Sequence, residues 1–251
     1  MKIGRVLIHF SSIDSTNDYA TDLLAKSEPI EGTVISTDFQ STGRGQGANK
    51  WQSQAEKNLL LSVILRPKNL VVKNSFSLNL LGALSVASLI KKKYPDLRPL
   101  IKWPNDILVK DRKIAGILIR NQIQSKKIVS SVCGFGINVN QLDFSTIENG
   151  RPASSLYLLS GIKNELNDLQ SAFFLELSAY YKMLQLNPNM LADLAKSLML
   201  GNNEMIKIQN KKSGETISCM VLRIEITGRI KIRDEDGNIM HIEMTDWKII
   251  S

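Results

Sequence analysis

The stretch K-W-P-N-D-I-L-V-K-D-R-K-I-A-G-I-L, residues 102–118, predicts a strand end, a polar corner and a β-hairpin in immediate succession. Pro104 cannot continue the strand before it, because its ring lacks the N–H that a ladder needs. Asn105-Asp106 then have the side chains typical of a turn. The remainder of the stretch has apolar runs on both sides of Asp111-Arg112, which is the pattern of a hairpin.

This hairpin would gather three charged side chains. It would return Lys113 to the sheet end from which Lys102 and Asp106 project. Lysine neutralises phosphate oxygens as a point charge, and an aspartate can hold Mg²⁺ against the same phosphates. Taken as structure alone, the corner could equally be no more than a turn.

Strand-like and helical runs occupy the sequence on either side. Strands are predicted at Val6–Phe10, Gly32–Phe39, Leu59–Leu65, Leu100–Trp103, Ile107–Val109, Ile114–Ile123 and Ile128–Val139. Helices are predicted around Tyr19–Leu24 and at Ser75–Lys93, Asn167–Leu186 and Asn189–Leu200. This distribution indicates an α+β domain, residues 1–200, in which a mixed, mostly antiparallel sheet is packed with helices.

The pattern changes after residue 200. Period-2 alternation recurs at Met205–Gln209, Ile217–Ile226, Arg229–Arg233 and Asn238–Glu243, with K-K-S-G-E, T-G and D-E-D-G as turns. Residues 201–251 are therefore predicted to form a small all-β domain. A unit of about 50 residues is small enough to need stabilisation from the larger one.

The stretch G-R-G-Q-G-A-N-K-W, residues 43–51, lies between two predicted strands. Long connections in compact domains are often functional. Its glycines free backbone N–H groups, and Arg44 can fork two hydrogen bonds to a phosphate or carboxylate. It could be a surface turn or a flexible loop that closes over an anion, and it is not a Walker A loop because no G-K-[ST] follows.

Composition limits the function classes. The chain has 251 residues, a net charge of +8 and no apolar run of transmembrane length or signal peptide, so we expect a cytoplasmic protein without a membrane partner. The positive charge suits an anionic partner but cannot choose among nucleic acid, nucleotide phosphates and an acidic protein. The cysteines, Cys133 and Cys219, are far apart and lack zinc-site spacing, so they are predicted to be buried thiols.

Six motifs, taken together, resemble the biotin protein ligase family. They are I-D-S-T-N (13–17), F-Q-S-T-G-R-G-Q-G-A-N-K-W (39–51), N-L-L-L-S (58–62), the 102–118 stretch, G-F-G-I-N-V-N (134–140) and R-P-A-S-S-L (151–156). They extend over essentially the whole chain. The resemblance implies a fold of the class II aminoacyl-tRNA synthetase/biotin ligase type with a C-terminal SH3-like β-barrel.

The same resemblance implies a two-step ligase with ATP and Mg²⁺ as cofactors. Biotin and ATP would give biotinyl-5′-AMP and pyrophosphate, and the biotinyl group would pass to a lysine of a biotin carboxyl carrier domain. It assigns biotin binding to Ser15, Thr16, Asn17, Gln40, Gly43, Arg44, Lys113, Gly116 and Ile117. It assigns ATP binding to Arg44, Trp51, Lys102, Asn105, Asp106, Lys113 and Asn138, catalysis to Lys113, Arg44, Lys102 and Asp106, and Mg²⁺ to Asp106.

The chain departs from the family pattern in its glycine loop. Well-known bacterial members have G-R-G-R-R-G-R-K-W, whereas this chain has Gln46, Gly47, Ala48 and Asn49 between its second glycine and Lys50. Any role of the missing arginines therefore cannot be transferred. The chain also begins at the first catalytic strand, so we expect neither the DNA-binding domain of repressor-type members nor a nucleic-acid partner.

Two alternatives and the oligomeric state stay open at this level. A lipoate (octanoate) protein ligase would use a similar adenylation, although the K-W-P-N-D and K-I-A-G-I motifs favour biotin. A basic nucleic-acid-binding protein would explain the charge but would leave the motifs without a purpose. An exposed sheet edge could support a homodimer.

Overall fold

The computed structural model describes residues 2–47, 49–145 and 152–250 of the chain. The first sheet contains β1 (Leu7–Phe10), β2 (Val34–Thr37), β3 (Asn58–Leu65), β4 (Leu100–Lys102), β5 (Asp106–Val109), β6 (Arg112–Gln124) and β7 (Lys127–Asn138). Its strand order is β1-β2-β3-β7-β6-β5-β4. The β1–β2 pair is parallel and the other pairs are antiparallel, which confirms the predicted mixed, mostly antiparallel sheet.

Two tight hairpins shape the end of this sheet. The β5–β6 turn has Lys110 and Asp111 at φ 49° and 58°, and the β6–β7 turn has Ser125 and Lys126 at φ 48° and 67°. Consecutive left-handed residues are typical of two-residue hairpin turns. The first turn was predicted one residue too late, because Arg112 already begins β6.

The helices pack on both faces of the sheet. They are α1 (Thr16–Lys26), α2 (Ser77–Lys93), α3 (Leu156–Ser160), α4 (Leu166–Leu186) and α5 (Asn189–Lys196), with a 3₁₀ turn at Val72–Asn74 before α2. A small apolar cluster under α1 includes Ala20 and Ile64, whereas Leu61 and Val63 belong to the main core with α2. β3 is buried on both faces, which fits its sequence: a nearly continuous apolar run, interrupted by Ser62, rather than an alternating one.

The second sheet lies at the C-terminal end of the chain. It contains β8 (Ile206–Asn210), β9 (Thr216–Ile224), β10 (Ile230–Asp234), β11 (Ile239–Ile242) and β12 (Trp247–Ile249), in the order β11-β10-β9-β8-β12. Its four pairs are antiparallel. A single cluster of buried apolar side chains runs through both sheets, from Ile101 and Trp103 to Ile208 and Val221.

The junction between the two sheets differs from the prediction. The last helix ends at Lys196 rather than Leu200, because Met199 forms a parallel bridge with Ile101 and the Leu200 N–H donates to the Ile101 carbonyl at 2.9 Å. In the described ranges, no helix has both the length and the apolarity needed to cross a bilayer.

Candidate active site

A cavity of about 470 Å³ opens between the first sheet, the glycine loop and the C-terminal sheet. All the predicted site residues except Gly43 and Asn138 line it: Ser15, Thr16, Asn17, Gln40, Arg44, Trp51, Lys102, Asn105, Asp106, Lys113, Gly116 and Ile117. The cavity has a volume typical of small-molecule sites. Residues far apart in sequence therefore meet around one space.

Gly43 and Asn138 support this space from outside it. A Cβ at Gly43 would come within 2.5 Å of the Trp51 carbonyl oxygen, so only glycine fits at the root of the loop. The Asn138 Nδ2 donates to the Ser154 carbonyl at 3.0 Å and the Lys113 carbonyl at 3.4 Å. Asn138 thereby holds the strand that carries Lys113, and its contact with a nucleotide stays a prediction.

Two residues of the sequence motifs lie outside the described residues. They are Arg151, which begins the R-P-A-S-S-L motif, and Ala48 of the glycine loop.

The polar corner of the 102–118 stretch places a carboxylate between two ammonium groups. The Lys113 Nζ lies 2.7 Å from Asp106 Oδ1, and the Lys102 Nζ lies 4.0 Å from Asp106 Oδ2. Lys102 is opposite Asp106 in the β4–β5 register, and Asp106 is opposite Gly116 in the β5–β6 register. The hairpin therefore gathers the three charges as its sequence pattern indicates.

Asn105 fixes this corner to the sheet. Its Nδ2 donates to the Ile117 carbonyl at 2.9 Å, and the Ile117 N–H donates to the Asn105 carbonyl, also at 2.9 Å. The Asn105 side chain thus adds one more hydrogen bond between the corner and β6. The charged groups on either side are held by backbone geometry rather than by a flexible loop.

The other end of the cavity is a buried polar pocket beneath the N-terminus of α1. The Thr16 N–H donates to Gln40 Oε1 at 2.8 Å, and the Thr16 hydroxyl lies 2.9 Å from the Ser62 hydroxyl. The Asn17 Nδ2 donates to the Leu118 carbonyl at 3.3 Å, while the Asn17 Oδ1 is buried without a partner among the described residues. Buried acceptors in proteins are normally hydrogen-bonded, and a ligand in the cavity could supply the donor for this one.

Trp51 lies over a flat area of the sheet formed by two glycines. Gly116 and Gly136 are opposite each other in the β6–β7 register. A Cβ would come within 2.9 Å of the indole at Gly116 and within 2.4 Å at Gly136. The Lys113 Nζ is 5.5 Å from the centroid of the Trp51 ring. The tryptophan at the end of the glycine loop is therefore a wall of the cavity next to its cations.

Arg44 of the glycine loop pairs with a carboxylate that the sequence did not single out. Its Nε donates to Asp18 Oδ2 at 3.0 Å, and the Arg120 Nη1 donates to Asp18 Oδ1. Burial alone would raise the pKa of Asp18, but hydrogen bonds from Arg120 and Arg44 outweigh it and lower the pKa. Asp18 is therefore an ionised bridge between the loop and β6.

Further lining residues were not predicted as site residues, although Ser62, Gly134 and Gly136 lie within two of the six motifs. Ser62, Gly134 and Gly136 come from the first sheet. In the C-terminal part, Trp247, Lys248 and Ile249 come from β12, and Lys211 and Met244 come from the turns after β8 and β11. The G-F-G pattern of the first group exposes backbone and was a usable signal. The residues of the C-terminal part had no such signal in the sequence, because their position at the cavity depends on how residues 201–251 pack against residues 1–200.

Neither thiol belongs to the site. Cys133 and Cys219 are free and buried, as predicted. Burial raises the pKa of Cys133 to about 12, and burial together with the nearby Asp234 raises the pKa of Cys219 to about 11.

Across the described ranges, no three His, Cys, Asp or Glu side chains come together as metal ligands. A metal at this cavity would therefore depend on Asp106 and on oxygens of a ligand.

Comparison with known proteins agrees with this geometry. The model of the biotin/lipoate A/B protein ligase family matches residues 9–138. The chain is 30% identical over 227 residues to the biotin--[acetyl-CoA-carboxylase] ligase of Mycobacterium tuberculosis, covering 87% of this chain and 80% of that one. It is 37% identical over 139 residues to the bifunctional ligase/repressor BirA of Bacillus subtilis, covering 55% of this chain and 42% of that one.

Solved structures share the fold over nearly the full length. A biotin protein ligase from Aquifex aeolicus in complex with biotin and ATP superposes with a TM-score of 0.79 at 25% identity, with 98% of both chains covered. The chain spans about half the length of the bifunctional ligase/repressors that it matches, at 42% and 52% for Bacillus subtilis and Escherichia coli. The chain belongs to the biotin/lipoate A/B protein ligase family.

Proposed function

We propose that this protein activates biotin with ATP to form biotinyl-5′-AMP and pyrophosphate, and then transfers the biotinyl group to one lysine of a biotin carboxyl carrier domain. The observation that carries the proposal is the two-ended cavity. One end is the buried polar pocket of Thr16, Asn17 and Gln40, and the other is the charged corner of Lys102, Asp106 and Lys113.

The polar pocket supports biotin over lipoate. Biotin ends in a ureido ring that both donates and accepts hydrogen bonds, whereas lipoate ends in an apolar dithiolane. The buried Asn17 Oδ1 needs a donor, which a ureido N–H would supply and a dithiolane would not. The relatives named as biotin ligases support the same choice.

The charged corner suits adenylation. A carboxylate oxygen attacks the α-phosphorus, the bond from that phosphorus to the bridging oxygen breaks, and pyrophosphate leaves. Both reactants are anions, so the obstacle is charge repulsion and orientation rather than proton removal. Lys113 and Lys102 would offset the repulsion, and Arg44 would add a third cation at the rim.

A magnesium ion fits this corner only together with ATP. Mg²⁺ is commonly held by one or two carboxylates and by substrate phosphates. Asp106 would be the protein ligand, and the ion would screen the phosphate oxygens. Asp106 is already close to two ammonium groups, so its release from Lys113 would accompany nucleotide binding.

In the second step the carrier lysine, as a neutral amine, attacks the carbonyl carbon and AMP leaves. The mixed anhydride must be shielded from water until then. Trp51 and the glycine loop would cover the mixed anhydride.

We place this reaction in the cytoplasm. The exposed edge strand β1 would be the surface for a homodimer.

The test is to incubate the protein with ATP, Mg²⁺, a carrier domain and either biotin or lipoate, and to measure the intact mass of the carrier. We expect biotinyl addition only, with pyrophosphate released in equal amount. A carrier whose target lysine is replaced by arginine is the control. Lipoyl addition, or no mass change with a competent carrier, would overturn the proposal.

A further inference from the structure

Asp18 is a bridge between three separate elements. It lies in the first turn of α1, and it pairs with Arg44 of the glycine loop and with Arg120 of β6. We call these three residues the Asp18 clasp. An acidic side chain in the first turn of a helix is also favoured by the helix dipole, so the carboxylate is stabilised from both sides.

The loop that the clasp holds is itself a small hairpin. Arg44 and Lys50 form an antiparallel bridge, the Trp51 N–H donates to the Gly43 carbonyl at 2.9 Å, and the Gly45 N–H donates to the Asn49 carbonyl at 2.9 Å. Trp51, at the end of this hairpin, lies over Gly116 and Gly136. Fixing Arg44 therefore also restrains the indole ring that forms a wall of the cavity.

The clasp leaves Arg44 able to bind an anion. A guanidinium has five N–H donors in a planar fork, and the carboxylate of Asp18 accepts from Nε. Within the described ranges the Nη groups of Arg44 make no hydrogen bond, so they remain for a second acceptor. The ion pair is also weak enough to open, because the Arg44 side chain is 54% exposed and exposed pairs contribute little.

We propose that Asp18 is a positioning residue that holds the Arg44 hairpin closed before ligands arrive. This inference rests on the proposed function for the identity of the ligand, but the closure itself does not. If Asp18 shifts the loop toward its closed form, ligands that need the closed form bind more tightly by the same factor. The residue acts through Arg44 and does not touch the reacting atoms.

The first experiment measures the loop without any ligand. Hydrogen exchange followed by mass spectrometry would report the amides of residues 43–51 in the wild type and in Asp18→Asn. We expect exchange in Asp18→Asn to be about 2- to 10-fold faster, as for loss of a partly exposed ion pair. Asp18→Glu should restore part of the protection, and Arg120→Gln should give a smaller effect in the same direction.

Asp22→Asn is the matched control. Asp22 lies one turn further along α1 and is exposed, so the variant changes the charge of the same helix equally. It should leave exchange in residues 43–51 unchanged. Unchanged exchange in Asp18→Asn, or an equal change in Asp22→Asn, would overturn the clasp.

The second experiment separates positioning from a purely structural role. In steady-state adenylation, Asp18→Asn should raise the KM for ATP several-fold and change kcat by less than about twofold, because the loss is in loop closure rather than in the chemical step. Faster exchange with unchanged kinetic constants would overturn the positioning role. A wild type that forms no adenylate would defeat the proposed function, while the exchange data would still decide for or against the clasp.

Discussion

At the scale of the residue, the site is organised around the Asp106 carboxylate. Lys113 and Lys102 approach its two oxygens, and Trp51 lies close to the Lys113 ammonium. With Asp106 present, two cations can be held in one small region without strong mutual repulsion. A polyphosphate entering the cavity would exchange this internal partner for its own oxygens.

This arrangement predicts the effect of Lys113→Ala. In the proposed reaction Lys113 faces the reacting phosphate, so removing its charge should lower adenylate formation on the order of 10²-fold. Single-turnover release of pyrophosphate is the measurement. Lys127→Ala, which removes an exposed lysine from β7, is the control and should be close to wild type. A near wild-type rate for Lys113→Ala would show that the charged corner is not where phosphate reacts.

At the scale of the element, apolar period and turn chemistry predict most of the first sheet. The strands around the hairpin were predicted within a few residues, because Pro104 and the polar turn residues Asp111-Arg112 mark their ends in the sequence. The sequence missed α3 and β12, at Leu156–Ser160 and Trp247–Ile249. Both are too short for a period to show. Their long-range contacts are visible only in the structure, where Leu156 of α3 is buried and β12 pairs with β8.

The candidate site, like the fold, was predictable from the sequence only in part. The sequence motifs contain the residues of the charged corner and of the pocket under α1. They gave no indication of Asp18 as a bridge, because its partners Arg44 and Arg120 lie in a loop and a strand distant in sequence. Long-range ion pairs have no local pattern, so only the packed structure reveals them.

A prediction at this scale concerns helix caps. Ser15 caps α1 and Ser155 caps α3, with Oγ accepting from the Asp18 and Leu158 N–H groups at 3.2 Å in each case. Ser15→Ala and Ser155→Ala should each lower the free energy of unfolding by about 1 kcal/mol in urea titrations. Because Ser15 lines the cavity, Ser15→Ala alone should also raise the KM for biotin, by about fivefold. Equal biotin KM values in the two variants would remove Ser15 from the binding site.

At the scale of the whole molecule, the two sheets share one core and one cavity. The buried Trp103 Nε1 donates to the buried Gly228 carbonyl at 2.9 Å, which joins the polar corner to the C-terminal sheet. Trp247 and Lys248 of that sheet line the same cavity as Lys102. The division into residues 1–200 and 201–251 stays a prediction, and we propose that the two parts unfold together.

Two buried thiols allow this cooperativity to be measured, since Cys133 lies in β7 and Cys219 lies in β9. Labelling of each cysteine along a urea titration should give the same midpoint in the wild type. Trp103→Phe leaves the Gly228 carbonyl without its donor, which should cost about 1–3 kcal/mol, and should move both midpoints down together. Leu175→Ala, at a side chain that is 71% exposed, should move neither. If Cys219 became reactive at lower urea than Cys133 in the wild type, the C-terminal sheet would be an independent folding unit, and the shared core would not hold the two parts together.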